Sequence, residues 1–357
     1  MSKYGLSNII IGNTGQRATA SPRHGWMGQG EVIASYEGGI PDEAVRNLID
    51  WEPLEVPSAN LIPVGDDEPA DAIVGGQAFK TMIVDGVKSI VRSDTFANLG
   101  RFKGTAGAGD GYNSNAYGFY VDKTREFVGD STVLAVGELN GGAQFFIQYG
   151  LDENLHDGTT GLDFMPYLLF QSSLDGSLAN TWSRGSIIAK CDNMFPAIRK
   201  EARGAGTQVK FKRSRFSAER LESVPGALAL QQQNTQDFAR GLVAVPVLRS
   251  QFIKVLDTLV PLPNAEKVSK AAVTRVQTKR DTIDALYQSS PMVRDWNGTA
   301  FGVFQAFNTY SNREAQVRGA NKIDRVFDRV MRGVVADEDR ATLDAMERVL
   351  GRELLAV

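Results

Sequence analysis

The chain has 357 residues, 42% of them hydrophobic, with 39 Lys plus Arg against 42 Asp plus Glu, two His and one Cys. That apolar fraction can bury a core and excludes a wholly disordered chain, a single Cys excludes an internal disulfide, and three Cys and His together exclude a four-ligand Cys/His zinc site. A net charge of −3 argues against a uniformly basic coat for nucleic acid, and no apolar run approaches the about 18 residues of a membrane span, so a reduced cytoplasmic location is expected.

Residues 1–39 are rich in Gly, Ser, Asn and Thr and lack periodicity, which predicts an extended N-terminal arm. Ile40-Pro41-Asp42-Glu43 then opens a short helix ending near Asp50-Trp51, because Pro tolerates the first turn and carboxylates suit the positive helix end. From Asp42 to Asp85 ten acidic residues stand against two basic ones, a block of −8. Thr81–Val84 and Val87–Val91 flank Asp85-Gly86, a pair favoured in two-residue hairpin turns, so a β-hairpin is predicted there. The glycine-rich stretch from Gly100 to Asn115 lacks the dinucleotide fingerprint and reads as a loop.

Strand signals separated by turn residues recur at 116–121, 132–136, 143–149, 167–172, 184–191 and 208–212, which predicts an antiparallel sheet. After Pro225 the texture becomes helical, broken at Pro246, Pro261-Leu262-Pro263, Pro291 and Gly333. The chain therefore divides into an arm (1–39), a β-rich core with a basic strand (40–224) and a helical region (225–357). The fold class is α+β, an antiparallel sheet with hairpins backed by helices. Phe301, Phe304 and Phe307, and further on Leu343, Met346, Leu350 and Leu354, recur at helical spacing and are expected to face a core.

Signatures of catalysis are sparse. There is no Walker loop and no Gly-x-Ser-x-Gly elbow, and neither His24 nor His156 belongs to a metal-binding helical pair. Cys191 sits in an apolar run as an inert thiol, and Asp66-Asp67-Glu68 with Asp71 lacks the alternation of a calcium loop. No catalytic residue, metal or cofactor is expected, and the chain is read as a non-enzyme.

The strongest local signal is basic. Between Arg199 and Arg220 eight cations stand against two acids, a charge of +6. In Gln208-Val209-Lys210-Phe211-Lys212 the alternation sends Val209 and Phe211 to the core face, and Gln208, Lys210 and Lys212 to the other. Such a stripe can track a phosphate backbone, and Arg184 and Lys190 would extend it from their own strand. Gln144, Phe146 and Gln148 alternate in the same way, which makes Phe146 a candidate platform for stacking a base. The same pattern also suits a solvated edge strand whose lysines deter aggregation.

Several short segments carry a family resemblance: Leu48-Ile49-Asp50-Trp51-Glu52-Pro53-Leu54, Val84-Asp85-Gly86, Val91-Arg92-Ser93-Asp94 with Leu99-Gly100, and Val136-Gly137-Glu138-Leu139-Asn140-Gly141-Gly142. Ser173 to Ala179, Ile188 to Asn193 and Gly298 to Asn308 follow in order. Together they resemble the phage- and plasmid-encoded domain-of-unknown-function family number nine-three-two. The chain departs from that pattern at Leu174, where the family usually has His, and at Arg213-Ser214-Arg215, where it has Arg-His-Thr. The resemblance implies a distant similarity to annealing proteins of the RAD-fifty-two, Redβ and Erf type, β-sheets backed by helices that form rings or arcs around single-stranded DNA.

On that basis the chain is expected to be an ATP-independent single-strand DNA binding and annealing protein, a phage-type homo-oligomer in a bacterial host, acting beside a phage nuclease. Its phosphate contacts would be Arg184, Lys190, Arg199, Lys200, Arg203, Lys210, Lys212, Arg213 and Arg215, with Phe146 stacking. The alternative is a phage structural or host-interaction protein with no nucleic-acid role.

Overall fold

The computed structural model describes residues 8–13, 34–63, 72–74, 77–95, 98–102, 117–151, 155–188, 194–196, 208–211, 237–291, 293–315, 329 and 334–354. Its architecture grows from the apolar run Val133–Leu139 (β7) and its neighbour Gln144–Gly150 (β8), which pair antiparallel. Leu162–Ser173 (β10) pairs with β8, and Asn180–Ile188 (β11) pairs with β10. Leu155–Asp157 (β9) adds to β10, while Met194–Pro196 (β12) and Gln208–Phe211 (β13) both add to β11. The helical C-terminal region follows, so the fold is α+β, as the order of signals along the sequence predicts.

Three expectations are corrected. The described parts of the N-terminal arm are strands of this main sheet: Asn8–Asn13 (β1) pairs antiparallel with β7 and parallel with Ala34–Glu37 (β2). The polar average of the arm hid a short strand signal, Ile9-Ile10-Ile11, whose Ile10 is buried in the apolar cluster. The strand predicted at 116–121 is instead the start of a helix, Gly118–Val128 (α2). Tyr117, Tyr120, Val121 and Thr124 recur at helical spacing and are all buried against the sheet. Finally, Asp85-Gly86 does not turn a hairpin. Gln77–Arg92 (β5) runs through it, and both halves of β5 pair with Pro53–Pro63 (β3). The register jumps from Pro57 opposite Lys88 to Ala59 opposite Ile83, so Asp85-Gly86 serves a bulge in one long strand. Ala72–Val74 (β4) and Asn98–Phe102 (β6) complete this second, four-stranded sheet.

The short helix Asp42–Leu48 (α1) forms as predicted, with Pro41 at its N-cap and Val45 and Ile49 buried. Behind it, one apolar cluster fills the main sheet's inner face. Phe170 lies 5.3 Å from Tyr120 and 4.5 Å from Trp182 between ring centroids, and the Trp182 indole donates to Thr124 Oγ1 at 2.9 Å. A second cluster organises the helices Arg249–Leu259 (α3), Lys270–Ser289 (α4), Ala300–Thr309 (α5) and Val334–Leu350 (α6). Every residue of α5 is buried, including the predicted Phe301, Phe304 and Phe307. Leu343, Met346 and Leu354 are buried with it, and Leu350 packs against it. Gly302 allows the close approach of α5 to the preceding chain, since an added Cβ would fall 2.2 Å from the Trp296 carbonyl oxygen.

Leu162 and Phe164 of β10 belong to this helical cluster, and Arg240 Nε donates to the buried Asp157 carboxylate at 3.0 Å, so helices and main sheet share a boundary of packing and charge. Among the described residues no helix is long and apolar enough to cross a membrane.

Candidate nucleic-acid interface

Strand register decides which residues share a face. One cross-strand row runs Lys210, Thr181, Gln171, Phe146, Gly137 from β13 to β7, and the next runs Gln208, Ser183, Leu169, Gln148, Ala135. The intervening row holds Val209, Trp182, Phe170, Ile147 and Val136 and belongs to the apolar face under α2. The main sheet therefore has one mainly apolar face and one mixed face, where amides, hydroxyls and a lysine position stand among Phe146, Leu169 and Ala135. As the alternation predicts, Val209 and Phe211 share the face of the apolar row, although Phe211 itself stands opposite Asn180, and Gln208 and Lys210 share the other.

Arg184 does not extend that stripe. It stands opposite Leu168, in a row of the apolar side, so its position and that of Lys210 belong to opposite faces. Even spacing within a strand says which residues share a face of that strand, but only pairing relates one strand to the next. Phe146 is on the predicted face yet fully buried, as is Gln148, while Gln144 and Gln171 are nearly so. Its ring offers no open platform in this conformation, because β8 is covered on both faces. Lys190, Arg199, Lys200, Arg203, Lys212, Arg213 and Arg215 lie outside the described residues. The described anchors bracket part of that basic segment: the chain leaves the outer edge of β11 at Pro196, opposite Gly185, and is back on it at Gln208, opposite Ser183.

Gln148 is the anomaly of the polar face. Neither its Nε2 nor its Oε1 has a hydrogen-bond partner, although the residue is fully buried. An unpaired buried amide costs about 1–3 kcal/mol. Gln148→Met, of similar shape, should therefore raise stability by about 1 kcal/mol or more in urea denaturation. A loss of stability would instead mean that the amide is paired in solution.

The motif segments meet at one end of the two sheets, in a centre the sequence reading did not single out. Arg92 closes β5, Glu138 lies in β7 and Trp51 precedes β3, and all three are buried. Arg92 Nη1 donates to Glu138 Oε2 at 2.8 Å, and the Trp51 indole N–H donates to Glu138 Oε1 at 2.5 Å. Arg92 also grips Asp94 through two bonds of 2.9 and 2.8 Å, and its Cζ lies 4.2 Å over the Trp51 ring. Burial opposes the Arg92 charge, but the bonds to Asp94 and the field of Glu138 outweigh it and hold the guanidinium above its usual range. The bond from Arg92 pulls Asp94 down to about 2. Burial pushes the Glu138 carboxyl up, against the pull of Arg92 and Trp51.

The turn after β7 is shaped around this centre. Asn140, Gly141 and Gly142 have φ of 53°, 71° and 97°, and a Cβ on Gly142 would come within 2.5 Å of Arg92 Nη1 and 2.9 Å of Trp51 Cζ2. The Tyr117 hydroxyl donates to the Gly142 carbonyl at 2.7 Å. Next to it sits the turn at Asp175-Gly176, where Asp175 accepts from the Ser177 N–H at 2.8 Å and Gln144 Nε2 donates to Ser177 Oγ at 2.8 Å. The sequence signal for this centre was a glutamate inside an otherwise apolar strand, Val136-Gly137-Glu138-Leu139.

Residues 109–332 match a family model described as a domain of unknown function (DUF932). The chain belongs to the DUF932 family. No curated protein and no solved structure matches it. In this DUF932 protein the matched stretch takes in the main sheet from β7 to β13 and helices α3 to α5, whereas Trp51 and Arg92 precede it. Among the described residues no three His, Cys, Asp or Glu side chains are grouped to hold a metal ion, and His156 instead pairs with Asp163 at 2.7 Å. The cluster at Asp66 to Asp71 lies outside the described residues.

Proposed function

We propose that this DUF932 protein binds and anneals single-stranded DNA without ATP, as an oligomer, by contacts rather than catalysis. The observation that carries the reading is the register that puts Lys210, Thr181 and Gln171 in one row and Gln208, Ser183 and Gln148 in the next, on the same face of the sheet, with Phe146 and Leu169 among them. Amide and hydroxyl positions next to a basic strand suit a polar polyanion, with cations on phosphates and neutral donors and acceptors beside them. The local charge of +6 between Arg199 and Arg220 supports it, since part of that segment begins and ends on the same sheet edge. The suggested likeness to annealing proteins of the RAD-fifty-two type points the same way. In the proposed mechanism the backbone of one strand is neutralised while its bases stay free for a complementary strand.

The burial of Phe146 and Gln148 favours the second reading, a structural or host-interaction protein whose polar face is closed. Fluorescence anisotropy of a labelled single strand at increasing salt separates the two. Annealing function predicts affinity that falls steeply with salt, and Lys210→Ala should lower the slope of log K against log salt by about one. A folded protein that binds no single strand at low salt, or fails to speed pairing of complementary strands, discards the proposal.

A further inference from the structure

Helix α4 is longer than the body that holds it. From Pro261 through Lys279 no residue is buried, although Lys270 to Lys279 is regular helix capped by Ser269 Oγ, which accepts from the Ala272 N–H. The second half is the main anchor, through Arg280, Ile283 and Tyr287, with Arg280 donating to the Val260 carbonyl at 2.7 Å, while in the first half Val276 packs partly buried on the helical core and Lys279 Nζ lies 5.2 Å over the Tyr310 ring. Helices in water draw most of their stability from packing one face, so the part of this face that the core leaves uncovered is available to a partner.

The uncovered face can be read from the spacing. Ser269, Val273, Val276, Arg280, Ile283 and Tyr287 recur at alternating four and three, so the seam that enters the core continues outward past it. In the turn that precedes the helix two apolar side chains are exposed, Val268 at 38% and Leu262 at 53%. Lys267, Lys270 and Arg275 flank this apolar line, exposed and, among the described residues, without an ion pair. Two identical copies of such a helix would bring these like charges together, which disfavours self-pairing about a two-fold axis. The complementary charge is at the other end of the chain: Glu43, Asp50 and Glu52 are exposed in the segment that leads to Leu54, itself 37% exposed, and among the described residues they make no ion pair.

The geometry points to a head-to-tail contact between copies of this chain, in which the overhanging half of α4 docks on the acidic, leucine-bearing patch at α1 and the start of β3. Such a heterologous contact closes into a ring or continues as a filament, and opposite charges set its direction. It deepens the assembly part of the reading above, yet needs no DNA binding.

Mass measured by light scattering at low salt tests it, with single-strand binding measured separately. The wild-type chain should run at a multiple of 38.8 kDa, and Lys270→Glu with Arg275→Glu should drop it to the single-chain mass without changing the circular dichroism melt. Adding Glu43→Lys and Glu52→Lys to that variant should restore assembly. A monomeric wild type, or a charge-reversed variant that stays assembled, overturns the contact. So does a variant of unchanged mass that loses DNA binding, which would assign the helix to nucleic acid. A monomeric variant that is not rescued overturns the acidic patch as the counterpart. An assembled wild type that binds no DNA upholds the contact and discards the annealing function alone.

Discussion

Glu138→Ala should cost this DUF932 protein about 3–5 kcal/mol of stability, the usual loss when one partner of a buried ion pair is removed. The truncation leaves the Arg92 guanidinium, whose side chain is 10% exposed, without the 2.8 Å bond to Oε2, and leaves the Trp51 N–H without an acceptor. Asp94 still holds the other side of Arg92, but its side chain is 42% exposed and compensates only in part. Glu138→Gln should fall between Ala and the native residue. Arg92 and Trp51 each need an oxygen, and an amide has one oxygen and a second atom that donates. Replacing Arg92 and Glu138 together by Leu should recover part of the Ala loss, since two desolvated charges vanish with their attraction. Urea denaturation of the three variants beside wild type checks the series. A Glu138→Ala protein within about 0.5 kcal/mol of wild type would mean that water enters this centre.

Asp339→Asn should stabilise the protein at pH 8 and leave it nearly unchanged at pH 4. Asp339 of α6 is buried against α5, where Asn308 Nδ2 donates to both carboxylate oxygens at 3.0 and 3.1 Å. Burial, aided by the nearby Glu338 charge and only partly offset by Asn308, raises the carboxyl from 3.8 to about 7. The folded state therefore holds this proton more tightly than the unfolded chain. The group's contribution is fully present below about pH 3.8 and is lost as pH rises towards 7. At about 1.4 kcal/mol per unit, the loss at pH 8 is at most about 4 kcal/mol. An asparagine still accepts from Asn308 through its oxygen and carries no charge to desolvate. Melting curves of variant and wild type from pH 4 to pH 8 should diverge through this window. A difference independent of pH would show that Asp339 titrates normally and that its contact with Asn308 is open to water.

How much of this was legible depends on the range of the interaction that decides each element. The strands at 132–136, 143–149 and 167–172, the helix after Pro41 and the buried stripe Phe301, Phe304 and Phe307 follow from periodicity, because a few neighbouring residues specify them. The helix at Gly118 was misread because aromatic and β-branched residues carry a strand bias that the spacing of Tyr117, Tyr120 and Thr124 overrides once a sheet lies beneath them. Asp85-Gly86 was misread for a similar reason: a turn dipeptide states what the backbone tolerates locally, and β3 offered both flanking strands a better partner than each other.

The candidate site divides along the same line. The proposed class of chemistry rests on composition and spacing, since scarce His and Cys and a +6 segment point from catalysis towards binding whatever the fold. Within single strands, alternation also gave the right sides for Gln208, Val209, Lys210 and Phe211. It could not place Arg184 on the opposite face from Lys210, close both sides of β8 over Phe146, or bring Trp51, Arg92 and Glu138 together from three separate strands and their approaches. Nor could it leave the first half of α4 without a buried residue. Each of these turns on pairing and packing between residues far apart in the chain, where a shift of one register position exchanges inside for outside. Local sequence carries no record of that choice.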